Sequence, residues 1–191
     1  MKLTNIFVLL TVVLVAFFLI QITVILNNNN SIKDINMALR SNIDAVVVEA
    51  NIRGFSANMH NNLLQNHSKL ELQKLYLFYE AEVEQFRKII SEIESGESKR
   101  TQSEILEEIA VHKKTLSDST KLLAALQDFL NNKASLPEDK LFDDVFESAS
   151  KSIALDSKHT KEMEDANNAL LRYVTNTTFG IMALEVLLIM T

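Results

Sequence analysis

The chain has 191 residues, of which 19 are Lys or Arg and 25 are Asp or Glu, and its net charge of −6 at pH 7 offers no electrostatic footprint for nucleic acid. The absence of Cys excludes a disulfide framework and covalently attached c-type haem. With 3 Gly and 1 Pro there are too few turn residues for a β architecture, and long helices are the default.

The first element is apolar. Ile6 to Leu26 is 21 residues interrupted only by Thr11, Gln21 and Thr23. At about 1.5 Å per residue it extends roughly 31 Å, which matches a ~30 Å hydrocarbon core. A cleaved leader would end in small residues, whereas Leu26 leads into Asn27, Asn28, Asn29 and Asn30. An uncleaved anchor is therefore expected over 1–26. Lys2 lies before it and the next Lys or Arg is Lys33, which places the N-terminus in the cytoplasm and the bulk of the chain outside the inner membrane.

Residues 27–176 carry 18 Lys plus Arg and 24 Asp plus Glu, the chain totals less Lys2 and Glu185. Ser/Thr-x-x-Glu boxes at Ser68/Glu71, Thr101/Glu104 and Ser135/Glu138 mark three helix starts, because a hydroxyl and a carboxylate there satisfy orphan N–H groups. Pro137 fits a first turn and Gly96 a connection. Helices are expected over 31–66, 69–94, 102–132 and 136–176. The fold class is all-α: a membrane-anchored antiparallel four-helix bundle with long helices. Thr177 to Thr191 is 15 residues, about 22 Å of helix, and includes Glu185, so 177–191 reads as the truncated start of a second transmembrane helix.

Apolar residues recur every three or four positions. Helix 1 shows Ile32, Ile35, Leu39, Ile43, Val46 and Ala50; helix 2 shows Leu72, Leu75, Tyr79, Val83, Phe86, Ile90 and Ile93; helix 3 shows Ile105, Ile109, Leu116, Leu123, Leu126 and Leu130. Continued, the first stripe meets Arg53, Ala57, His60, Leu64 and His67, and the third passes through His112. The helix 4 stripe, Phe142, Phe146, Ala149 and Ile153, continues through Asp156 and Thr160. Counting from the loops puts Arg53, His112 and Asp156 within about 12 Å of one height.

Beside the plain reading that these side chains point at solvent, two readings fit such a polar layer. It is a structural ion pair that sets register, or it is a pocket in which Arg53 pairs with the carboxylate of a small ligand while His60, His112, Asp156 and Thr160 orient it. The aromatics Tyr76, Phe78 and Tyr79 read first as core and second as stacking surfaces. No metal or cofactor is expected. Glu108 and His112 are spaced i, i+4 and Asp156 and His159 i, i+3, so the paired Glu-x-x-His motifs of di-iron bundles are missing. A b-type haem between His60 or His67 and His112 is the arrangement the histidines leave open. With neither a phosphate loop nor a nucleophile elbow, no enzymatic activity is expected.

This layout, an uncleaved anchor flowing into a bundle of about 150 residues and a returning apolar helix, resembles the N-terminal sensory half of methyl-accepting chemotaxis proteins. Sensor histidine kinases share it. The resemblance covers the chain by architecture and no short motif carries it. It implies a homodimer that binds a small molecule or a ligand-binding protein and signals by displacement of helix 4. A helical membrane scaffold without ligand or output is the alternative.

Overall fold

The computed structural model describes residues 3–65, 68–95 and 102–190. They form α1 (Leu3–Leu64), α2 (Lys69–Glu94), α3 (Gln102–Leu130) and α4 (Asp139–Met190), and no strand occurs among them. The chain is an all-α helical bundle. Lys2, His67, Gly96, the Thr101 box and Thr191 lie outside the described residues, as does the side chain of Ile105.

The local chemistry explains where helices begin and stop. Ser68 caps α2, its hydroxyl accepting from the Glu71 N–H at 3.4 Å with extended backbone at φ −60° and ψ 142°. At the end of α3, Asn132 adopts φ 57°. The Lys133 N–H then bonds the Asp128 carbonyl at 2.9 Å and the Asn132 N–H that of Phe129 at 3.0 Å, a Schellman turn. This left-handed residue stops α3 at Leu130, two residues before the expected end. The Ser135/Glu138 box caps nothing: residues 135–138 have no regular structure and α4 starts at Asp139. Pro137 is the reason, because it biases Leu136 away from the helical region and so delays the start.

The chain divides into two compact units, Ala38–Lys161 and Met1–Met37 with Glu162–Thr191. In the first, neighbouring helices run antiparallel. Asn51 on α1 donates to Glu82 on α2 at 3.1 Å, and one turn along Phe55 stacks on Phe78 at 5.8 Å between centroids. The α1–α4 register follows from His60 with Asp139 and Glu49 with Ser152, and the α3–α4 register from Glu108 with His159 and His112 with Asp156. Lys69 reaches Asn132 at 3.1 Å, which ties the start of α2 to the end of α3. The core comprises Ala45, Val48, Ile52, Met59 and Leu63 of α1 with Tyr79, Val83, Phe86 and Ile90 of α2, Leu122 and Leu126 of α3, and Phe142, Val145 and Ala149 of α4. Each fully buried Val, Leu, Ile or Phe contributes about 1.5–3 kcal/mol.

The α2 stripe lies in the core as its spacing predicts. The α1 stripe does not. Its buried face is Asn42, Ala45, Val48, Glu49, Ile52, Ser56, Met59 and Leu63, while Ile43 is 45% exposed. The face is rotated by about one residue, because three polar side chains that find partners or enclosure inside take the place of apolar ones outside. Phe146 on α4 is likewise exposed.

In the second unit Asn167 donates to Asn36 at 3.2 Å. Many of its described large apolar residues are exposed, among them Val12, Phe18, Leu26, Phe179 and Leu187. Among the described residues, one helix, α1, includes a stretch long and apolar enough to cross a membrane.

Candidate functional site

The most unusual residues of the Ala38–Lys161 unit are its buried ionisable ones. Glu49 sits between Ala45 and Ile52 on the inner stripe of α1 and is wholly buried. Glu108 and His112 are one turn apart on α3, and Ser152, Asp156 and His159 follow one another along the inner face of α4. Helical spacing alone brings these six to the interior. The antiparallel register then sets them at one level.

At the centre, His112 Nε2 lies 3.2 Å from both Asp156 oxygens and 3.3 Å from Glu49 Oε1. The Ser152 hydroxyl donates to the same Glu49 oxygen. Asn42 donates to the main-chain carbonyl of Asp156 at 3.4 Å, and Glu108 Oε2 is 3.5 Å from His159 Nδ1. From α2, Phe86 closes the layer with an aromatic wall, standing edge-on to the His112 ring at 5.3 Å. Glu49, His112 and Asp156 all have zero exposure.

Burial, and next the Asp156 charge, push the Glu49 carboxyl up to about 8, against the opposing effects of His112 and the Ser152 hydrogen bond. Burial alone would lower His112, yet the Asp156 hydrogen bond and charge, then the charges of Glu49 and Glu108, carry it above its ordinary value. With its carboxyl pushed up to about 8, Glu49 is mostly protonated at neutral pH. Among the described residues no Lys or Arg pairs with Glu49, His112 or Asp156. Glu49 Oε2 and His112 Nδ1 are buried and have no hydrogen-bond partner among the described residues.

Of the residues nominated from sequence, the structure brings His112 and Asp156 together. Arg53 is elsewhere: it is half-buried, and its guanidinium carbon lies over the Phe146 ring at 5.5 Å. His60 bonds Asp139 at 2.9 Å and stacks on Phe142 at 4.7 Å. Thr160 follows His159, and its hydroxyl oxygen is buried without a hydrogen-bond partner among the described residues. The aromatic trio separates as well: Tyr79 is in the core, Phe78 is exposed against Phe55, and Tyr76 lines a cleft of about 280 Å³ with Gln73, Leu77, Gln127, Leu130 and Asn131.

Sequence reasoning missed Glu49 and Ser152. The signal for Glu49 was present, a carboxylate directly after Ala45, Val46, Val47 and Val48 and three residues before Ile52. The spacings of Glu108 to His112 and Asp156 to His159 were noticed, but pairing across helices needs the register. The chain matches no protein-family model, no curated protein and no solved structure.

Proposed function

We propose that the chain is the extracytoplasmic ligand-sensing region of a transmembrane receptor of the chemotaxis type, and that it signals by displacement of α4. One observation carries the reading. The layer of Glu49, His112 and Asp156 couples α1, which contains the membrane-length apolar stretch, to α4, which runs unbroken to Met190. A bundle that served only as a scaffold would be as stable, or more so, with apolar residues at these positions.

Such a layer is suited to switching. A ligand shifts a two-state bundle only through a difference in affinity between states, and about 1.4 kcal/mol of difference moves the populations tenfold. Ionised groups in a dry interior supply energies of that size from small changes of distance. Two copies would pair through α1, where Ile43, Val47, Ala50, Gly54 and Ala57 follow at alternating spacings of four and three, and Ile43, Val47, Gly54 and Ala57 are exposed. The bulk of the chain would then be periplasmic, with the exposed apolar surface of the Met1–Met37 unit in lipid.

The test is a chimera that joins the chain, through Thr191, to the kinase-controlling cytoplasmic half of a chemoreceptor. Asp156→Asn and Glu49→Gln should each shift basal kinase output at least threefold while membrane insertion and helicity are kept. Output that ignores the whole series of layer variants would refute the sensor and favour the scaffold.

A further inference from the structure

The layer also contains a metal donor set, built from the same groups that bond one another across the helices. A carboxylate from α1, an imidazole from α3 and a carboxylate from α4 each offer a ligand atom, and these atoms lie within 4.8 Å of one another. Two ligands bound about 2.05 Å from one tetrahedral ion are about 3.3 Å apart by geometry. The measured separations of His112 Nε2 from Glu49 Oε1 and from Asp156 Oδ2 are 3.3 and 3.2 Å. Two edges of a coordination tetrahedron are therefore already in place.

We infer that Glu49, His112 and Asp156 form a binding site for one divalent first-row transition cation, for which Zn²⁺ is the representative ion. The donor set decides the class. One imidazole nitrogen and two carboxylates suit Zn²⁺, Co²⁺ or Fe²⁺, whereas Ca²⁺ takes six to eight oxygens and Mg²⁺ keeps several waters, which three donors in a dry core do not accommodate. One supporting contact is present, Ser152 donating to Glu49, and Asn42 holds the Asp156 main chain, whereas His112 Nδ1 has no hydrogen-bond partner among the described residues. Glu108, one turn from His112, is a further wholly buried acid of the layer, with its Oε2 3.5 Å from His159 Nδ1.

The two unpartnered buried atoms, Glu49 Oε2 and His112 Nδ1, mark a cluster that is incomplete as a hydrogen-bonded one. The inference deepens the sensor reading by naming what the layer takes up, yet it stands on geometry alone. A metal titration and the kinase chimera fail separately.

The experiment uses the full chain, purified in detergent micelles, stripped with chelator and titrated with Zn²⁺ against a chromogenic competitor, and with Co²⁺ read by its visible absorption. The expected result is one equivalent bound with Kd below about 10 µM, intense tetrahedral Co²⁺ bands, and an unfolding midpoint raised by saturating Zn²⁺. His112→Gln, Glu49→Gln and Asp156→Asn should each weaken binding at least tenfold, while His60→Gln leaves it unchanged. Glu49→Gln and Asp156→Asn preserve side-chain size, and their circular dichroism without metal verifies the fold. Binding weaker than about 10 µM, or a site that survives all three substitutions, overturns the assignment.

Discussion

His112 on α3 lies 3.2 Å from both carboxylate oxygens of Asp156 on α4, and neither residue has any surface in contact with solvent. That pair, with Glu49 beside it, is the energetic weak point of the bundle as well as its most specific feature. Breaking a buried pair by removing one partner costs about 3–5 kcal/mol, since the other charge is left uncompensated. His112→Ala should lower the urea-unfolding free energy of the metal-free chain by about that amount. Simultaneous replacement of Glu49, His112 and Asp156 by Leu should be neutral or stabilising, by about 1–4 kcal/mol. A triple variant less stable than His112→Ala would contradict this account.

Stability of the metal-free chain should fall as pH rises. Glu49, raised to about 8 from 4.5, contributes fully below pH 4.5 and loses its contribution as pH climbs through 8. His112, raised above 6.5, contributes below that value and loses with rising pH too. The groups facing them include Asp156 and Ser152 of α4 and Glu108 of α3, and among the described residues α2 contributes the Phe86 ring. The unfolding midpoint in chelator should drop on the order of 5 °C between pH 5 and pH 8.5. A midpoint that rises over this interval would mean that Glu49 is ionised in the folded state.

Gly54 lies on the exposed apolar line of α1, and a Cβ added there meets nothing within 4 Å. Gly54→Ala should therefore stabilise a single copy by about 1 kcal/mol through helix propensity. If two copies pair along α1, the same methyl group holds them apart. Because the chain has no cysteine, a Val47→Cys variant reports pairing cleanly. Disulfide yield across the pair should fall when Gly54→Ala is added, and an unchanged yield would place the contact elsewhere.

Arg53→Ala is expected to be mild. The guanidinium over Phe146 at the surface contributes about 0.5–1 kcal/mol, so loss of more than about 1.5 kcal/mol in denaturant unfolding would reveal a partner beyond the ring.

How much of this was legible in the residues depends on the helix. On α2 a strict apolar spacing from Leu72 to Ile93 gives the buried face directly, and Ser68 gives the start. On α1, Ile43 and Val47 look like core and are exposed, while Asn42, Glu49 and Ser56 look like surface and are buried. Periodicity identifies faces, but when two faces are comparably apolar the decision lies with the neighbours. The end of α3 was missed because Asn132 stops the helix by a left-handed backbone that composition does not announce. His112 and Asp156 could be nominated because each interrupts an apolar stripe. Glu49 could not be paired with them until register was known.

The buried layer also bears on how long each copy of the protein survives. A core that includes Glu49, His112 and Asp156 has given up hydrophobic stabilisation at its middle, so its open population is larger than that of an apolar bundle of the same length. Proteases act on the open population. Any occupant that closes the layer would slow turnover in proportion to its own binding, and the abundance of the protein in the cell would then follow the supply of that occupant.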